Sequence, residues 1–572
     1  MRTIDQIDPE KAAAMDMKAG SPTGHHGEEY DIQTGDQKPL SRSLKNRHMQ
    51  MIAIGGAIGA GLFVGSGGAL HTGGPGSLVI CFIIIGGMLL MTMQALGELA
   101  VLYPVNGAFY NYAVRFIDQS WGFAMGWDYA INWLTILPFE ITAAGITIGY
   151  WARGATVNIG VWITVFLVAL SAIQFFGVRG YGEVEFVLST IKVLACTGFI
   201  ILGIIIDCGG VPTDNRGYIG AKYWHHPGAF RNGFKGFCSV FVTASFAFGG
   251  TELTGLAAAE AENPKESIPK ATRQVFWRIT FFYVVGLFIV GLIVPSDSDV
   301  LLGSSGANTK ASPFVYAIQL AGIKGLPSVF NAVITISVLS VANSCAFGST
   351  RTMQALALQG MAPKFLAYVD KHGRPIPCII IQLIFGLLAF VNEATAGATF
   401  FYWLLSLSGL ANFFIWGSIC LSHIRFRRAW KLQGHSLDEL PYKASFGVVG
   451  SYIGLILNIL CLMAQFYVAL YPVGGSPDAT NFFQSYLAAP VVIALYLFWK
   501  IYSRDWTLFI RAKDMDVLTG MRANVQELAA DGTVAKPKVR SWMDYPKRVV
   551  GAFIWGLVFG WVEGVDTVGM GR

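Results

Sequence analysis

The sequence predicts an all-α polytopic membrane protein with twelve transmembrane helices, the first and sixth of them broken. Three observations predict it. Charge is scarce between two polar ends, apolar segments recur at spanning length, and glycine runs interrupt two of those segments near mid-membrane. Of 572 residues, 53% are hydrophobic and only 13% charged, against about 25% charged in soluble domains. The two ends, 1–48 and 500–572, carry 34 of the 76 charged residues, which leaves the 451 residues between them about 9% charged. A helix needs about 20 apolar residues to cross a bilayer, so that stretch accommodates about a dozen. The balance argues against a soluble multidomain enzyme.

The N-terminal tail, 1–48, mixes charges of both signs with Pro and Gly and reads as disordered. Its His25-His26 pair is incidental rather than metal-binding. No secretory signal precedes the first apolar run, so the first helix serves as the targeting signal. The helical domain, 49–503, holds twelve segments: Met49–Leu70, Ser77–Val101, Gly122–Trp151, Val157–Phe176, Val184–Ile206, Phe237–Leu256, Val275–Val294, Val329–Leu358, Ile376–Val391, Thr399–Leu421, Val448–Tyr471 and Phe482–Trp499. An even count puts both ends on one side. That side receives 33 of the 41 Lys and Arg and the other 7, so both termini are expected in the cytoplasm. The loop from His423 to Lys443, with Arg425, Arg427 and Arg428, anchors this orientation. In the C-terminal tail, 504–572, the apolar stretch Val549–Trp561 is too short to span and is expected to dock on the protein or at the membrane interface.

The eight cysteines are scattered without a CxxC pair, although Cys208 and Cys238 flank one outer loop and could pair. The net charge of +6 reflects topology, since no basic patch with interleaved aromatics points to nucleic acid. All nine His fall outside the segment cores, which disfavours a His relay or an intramembrane metalloprotease. No catalytic motif appears in a credible context.

The chemistry is concentrated in the glycine runs. In the first segment, Gly55-Gly56-Ala57-Ile58-Gly59-Ala60-Gly61 weakens the helix at membrane depth, where unpaired backbone is tolerated if it lines a ligand site. Tight small-xxx-small packing is the competing reading of the same run. The sixth segment tips the balance: Phe246-Ala247-Phe248-Gly249-Gly250-Thr251-Glu252 again places a glycine pair near mid-membrane. Breaks in corresponding positions of two halves mark a transporter site and imply two inverted repeats of five helices with two further helices. A broken helix offers N–H groups to a carboxylate and C=O groups to an ammonium, and an amino acid zwitterion carries both. Ionisable groups inside the membrane are costly and so point to function, and four stand out: Glu98, Glu140, Lys192 and Glu252. Glu98, near its segment end, suits a structural or interfacial role. Glu140 suits a substrate pathway or gate, and Glu252 directly follows a break. Lys192 either snorkels toward the cytoplasmic face, about 12 Å along its helix from Val184, or serves as a switchable charge.

The run Gly55 to Gly61, the stretch Gly107-Ala108-Phe109-Tyr110 with Trp121-Gly122-Phe123-Ala124, and Glu252 through Glu260 to Asn263-Pro264 resemble fungal amino acid permeases. So do Ser349-Thr350-Arg351-Thr352-Met353, Gly373-Arg374-Pro375 and His423-Ile424-Arg425-Phe426-Arg427-Arg428. The resemblance runs from about Leu44 to Gly520. Within it, Gln274 to Arg278 and Ser436 to Leu440 are similar to the general amino acid permease branch. It implies the amino acid–polyamine–organocation superfamily fold, a LeuT-like arrangement of five plus five inverted repeats with two added helices. It also implies proton-coupled import of L-amino acids at the plasma membrane, driven by the proton gradient with no cofactor.

Carried over by position, the resemblance gives Gly59, Ala60 and Gly61 to the substrate α-carboxylate, and carbonyls near Ala57, Phe246 and Gly249 to the α-amino group, beside Thr251. Phe246 and Phe248 would form an aromatic lid. Lys192 matches a fifth-helix Lys that stands where related transporters hold sodium and carries the proton, with Ser340, Asn343 and Ser344 facing that place. Glu140 and Glu252 are further coupling or gating groups. The sequence departs from the pattern at Gln119, where Pro usually precedes the Trp-Gly-Phe-Ala run, and at Gly145, where the third helix often has Ser or another small polar residue that bears on side-chain selectivity. Lys11, Lys18 and Lys38 resemble tail lysines that accept ubiquitin from a ligase. A non-transporting amino acid sensor on the same fold is the rival reading, and sensors of this kind carry a much longer segment than 48 residues before the first helix.

Overall fold

The computed structural model describes residues 44–521, apart from 106, 152, 153, 155, 262, 263, 303–311, 394–396 and 520. Lys11, Lys18, Lys38 and the stretch Val549–Trp561 lie outside the described residues.

Within them the regular structure is helical. α1 (Asn46–Ala57) stops where Ile58 takes an extended backbone, φ −75° and ψ 97°. The chain resumes as a wide turn over Gly61–Gly65 and continues into α2 (Ser66–Leu102). α2 holds parts of two spans, because Gly74 at φ 82° and ψ 167° precedes Pro75, a pair that no regular helix absorbs. After the short amphipathic α3 (Ala108–Phe116), the Asp118 side chain accepts from the Trp121 N–H and starts α4 (Gln119–Ile148). Asn158 caps α5 (Ile159–Phe175) in the same way. α6 (Gly177–Asp207) completes the first five spans.

The sixth span is α7 (Gly233–Phe248), a break, and α8 (Leu253–Leu256). Then come α9 (Pro264–Ile293), the short α10 (Pro313–Leu320), α11 (Leu326–Leu358) and α12 (Ile376–Gly386), which tightens into a 3₁₀ turn over Leu387–Glu393. α13 (Gly397–Leu432), α14 (Gly447–Leu470) and a pair bent by 67°, α15 (Ala479–Tyr486) and α16 (Ala488–Ser503), finish the domain. Each of the twelve predicted segments lies on these helices, and the breaks fall in the first and sixth.

The packing reveals the repeat. Exchanging each of the first five spans for the one five later maps observed helix pairs onto observed helix pairs. α1 packs on α6 as α7 packs on α13; α4 on α13 as α11 on α6; α4 on α5 as α11 on α12; α6 on α9 as α13 on α2. The contacts that map onto themselves, α4 with α11 and α2 with α9, form the centre. α14 adds to the outside against α13, α2 and α7, and α16 against α4 and α13. Apolar side chains at helical spacing, such as Val161, Val165 and Val168 on α5 or Ile456, Leu460 and Met463 on α14, point outward, the surface that lipid rather than water solvates.

Three expectations change. Cys208 is exposed and Cys238 is buried within α7, and both are free thiols, so the two do not pair. α13 continues past Leu421 to Leu432, so His423 is a buried helical residue rather than the start of a loop. Gly145 faces α5, where an added Cβ would stand 3.0 Å from Ile159 Cγ1, so it does not shape a substrate pocket.

Candidate substrate site

The glycine run of the first span does both things its sequence allowed. Close packing is one: a Cβ at Gly59 would stand 2.4 Å from Val341 Cγ2, and one at Gly61 would stand 2.7 Å from the Ala247 Cα. The helix break at Ile58 is the other. In the sixth span the N–H of Gly249 still bonds back to the Ser245 carbonyl at 3.0 Å, but Gly250 turns to φ 95°. A Cβ on Gly250 would lie 2.6 Å from the Gly56 carbonyl oxygen, so the two breaks cross in direct backbone contact.

Beside that crossing lies a small cavity lined by Gly56, Ala57, Gly59, Phe246, Gly249 and Gly250 from the broken spans. Asn132, Trp133, Ile136 and Glu140 of α4, Val341 of α11 and Asn412 of α13 close it, leaving about 10 Å³, room for about one water. Gly56, Ala57 and Gly59 bring the end of α1 and the approach to the next turn to this wall, and helix ends of these two kinds carry partial charges of opposite sign. Phe246 packs edge-on to Phe139, ring centres 5.3 Å apart. Asn412 bridges three elements: its amide donates to the Ser245 carbonyl at 3.1 Å, its oxygen accepts from Asn132 at 3.3 Å, and it rests against Gly249.

Four buried charges surround the crossing. Glu140 stands in the cavity wall with Oε2 buried and unpartnered, and Oε1 is 3.6 Å from where a Gly59 Cβ would be. Lys192 does not snorkel. It is fully buried and its Nζ donates to the Gly55 carbonyl at 2.6 Å, holding an ammonium on the C-terminal end of α1. Glu252 accepts from the Gly250 N–H at 3.2 Å and from Trp416 Nε1 at 3.3 Å, and so braces the second break. The fourth charge, Glu185 of α6, is one the sequence reading passed over. Ser340 donates to it, Asn343 Nδ2 donates at 3.1 Å and Ser189 at 3.4 Å, and its Oε1 occupies the space that a Gly55 side chain would need, 1.6 Å from an ideal Cβ.

The structure therefore regroups the expected residues. Ala57, Gly59, Phe246 and Gly249 line the cavity, and Ala60 and Gly61 open the helix that follows it. Phe248 points away, packed between Phe82 and Tyr283 at 5.8 and 4.5 Å, and cannot form a lid. The Thr251 hydroxyl is tied back to the Phe248 carbonyl at 2.8 Å. Ser340 and Asn343 bind Glu185, not the amine of Lys192, whereas Ser344 accepts from Tyr181 at 3.3 Å. Glu98 stands apart, in a buried cluster with Arg427, at 2.6 and 2.7 Å, and His423, at 3.0 Å. The residues sequence reasoning missed carry a readable signal: Asn132 is an amide and Glu185 an acid within predicted segments.

Two interrupted helices that cross at mid-span, inside a domain built as an inverted repeat, define a secondary membrane transporter. The amino acid permease family profile matches residues 48–512. Relatives are similar over nearly the whole chain. General amino-acid permease GAP2 of Candida albicans is 52% identical across 93% of this chain and 90% of its own. Cationic amino acid transporter 1 of Schizosaccharomyces pombe is 54% identical across 88% and 86%, and general amino-acid permease GAP1 of Saccharomyces cerevisiae 52% across 88% and 85%. The chain belongs to the amino acid permease family.

Proposed function

We propose that this protein is a proton-coupled symporter that imports L-amino acids of broad range across the plasma membrane, both termini cytoplasmic, by alternating access around the crossing of its broken helices. The observation that carries the reading is the juxtaposition of helix ends of both signs with the unpartnered carboxyl of Glu140 in one cavity wall. Helix N–H groups at Gly59, Ala60 and Gly61 hold the α-carboxylate, and carbonyls of Ala57, Phe246 and Gly249 hold the α-ammonium. Such backbone recognition reads what all amino acids share, which suits a broad range, as do the general permeases among the relatives. Phe246, in the wall, closes over the side chain.

The proton gradient supplies the energy. Lys192 links proton to substrate, because its amine is bonded to the carbonyl of the helix whose next residues bind the ligand. A proton lost from Lys192 removes the charge that strengthens its hold on the end of α1, and one regained restores it. Glu140 and Glu252 sit on either side of the crossing and respond to the same movement.

Uptake of a labelled amino acid panel into permease-deficient cells, at acidic and neutral pH and with a protonophore, tests this. Broad uptake that collapses with the gradient is expected, and Lys192→Ala should remove its dependence on pH. Unchanged pH dependence in Lys192→Ala moves the carrier to Glu140 or Glu252. No uptake by protein verified at the cell surface defeats the transport reading in favour of a sensor.

A further inference from the structure

The far end of α13 and the segment that follows α16 enclose a second cavity, of about 290 Å³, remote in the chain from the broken helices. Arg425, Arg428 and Arg511 line it together with Phe509, Ile510, Ala512 and Met515. Arg425 sets its geometry. The guanidinium donates to the backbone carbonyls of Phe116 and Ile510 and lies 5.1 Å from the centre of the Phe509 ring. Neutral carbonyls fix the group without cancelling its charge. Among the described residues none of the three guanidiniums pairs with a carboxylate, in contrast to Arg216, Arg351, Arg374 and Arg427. The neighbouring acids are spent or placed elsewhere: Asp516 accepts from the Leu518 and Thr519 N–H groups, and Asp514 does not line the cavity.

A pocket with three positive charges and no negative one takes an anion, and the planar fork of a guanidinium matches the oxygens of a phosphate. The surroundings say how that phosphate arrives. Ile501, Tyr502, Trp506, Leu508 and Phe509 are all more than half exposed beside it. Aromatic and apolar side chains next to arginines at the end of a span are the composition of a membrane interface. A soluble anion would need the arginines alone.

We propose that this cavity binds the phosphate of an anionic phospholipid headgroup, in the leaflet where this end of α13 emerges. Arg428 and Arg511 grip the oxygens, Arg425 positions them, and the lipid chains lie along Trp506, Leu508 and Phe509. Bound lipid ties the segment after α16 to the end of α13 and to the Phe116 turn.

The test is native mass spectrometry of the purified full chain in detergent, titrated with dioleoylphosphatidic acid and, separately, with dioleoylphosphatidylcholine. Phosphatidic acid should be retained in preference to phosphatidylcholine, and Arg428→Gln with Arg511→Gln should weaken retention about tenfold or more. Both substitutions leave Arg425 and its two carbonyl bonds intact, and an unchanged thermal midpoint before lipid is added shows that the variant is folded. If the pair does not fold, each single variant is expected to show part of the loss. Lys at both positions should restore binding in part, as a point charge without the fork. Equal retention by the folded Gln variants overturns the site. A thermal shift with inorganic phosphate, without retention of phosphatidic acid, overturns the lipid and leaves a soluble phosphate as the ligand.

Discussion

At the scale of single residues, the clearest lesson is Glu185. It is an acid buried under three donors, and its position excludes any side chain at Gly55. Glu185→Gln is nearly isosteric but turns one acceptor into a donor that faces the Asn343 amide. A buried donor left unpaired costs about 1–3 kcal/mol, so the thermal midpoint should fall, and Asn343→Asp in the same chain should restore part of it by reversing the roles. An unchanged midpoint in the single variant would show that Glu185 is not the hub described. Gly250 is the second such residue: φ 95° and a carbonyl 2.6 Å from its missing Cβ leave no room for alanine. Gly250→Ala should lower stability by about 1–3 kcal/mol through strain alone and abolish uptake, measured on surface-expressed protein; normal uptake would remove the crossing from the site. Lys192 was legible as a charge in an apolar run. Its partner was not, because a hydrogen bond to the Gly55 carbonyl is a fact of two helices meeting and no local pattern records it.

At the scale of elements, the two broken spans could be read from glycine spacing, since backbone at membrane depth must be satisfied somewhere. Which side chains face the break could not. Phe246 and Phe248 are two residues apart, yet one enters the cavity and the other packs on Tyr283, because α7 still has helical periodicity up to its end. The end of α13 differs for another reason: charged residues after Leu421 predict the end of a span, but His423 and Arg427 turn inward to Glu98 and extend the buried face. Arg427→Ala leaves Glu98 buried with part of its compensation removed, and about 3–5 kcal/mol of stability should go with it. A double variant, Glu98→Gln with Arg427→Met, should lose much less, and thermal unfolding of the purified variants distinguishes the two. Equal losses would mean that the cluster is not an ion pair held in balance.

At the scale of the whole molecule, span number and the five-helix repeat follow from hydropathy and from the placement of the breaks, and the exchange of helix pairs shows the same symmetry in three dimensions. The first part of the C-terminal tail was not readable. Residues 504–521 look polar enough to leave the domain, yet Ile510 N–H bonds to the Ile117 carbonyl at 3.0 Å, Tyr103 donates to the Val517 carbonyl at 2.6 Å, and Met515 and Val517 are buried. Its partners lie some 400 residues earlier in the chain, far beyond any sequence window.

One pairing at the opposite terminus has a temporal meaning. The Leu44 N–H donates to the Glu260 carbonyl at 3.1 Å, joining the approach to the first span to the foot of the sixth, and Arg351 holds Glu260 at 2.9 Å from α11. In the proposed alternating-access cycle, opening this end of the molecule would separate those three pieces. The Leu44 amide is then a clock: its hydrogen should exchange with deuterium only during openings, more slowly in Lys192→Ala if that variant stalls closed, and faster in Arg351→Ala. An exchange rate indifferent to both would mean that the foot of the sixth span stays shut throughout the cycle.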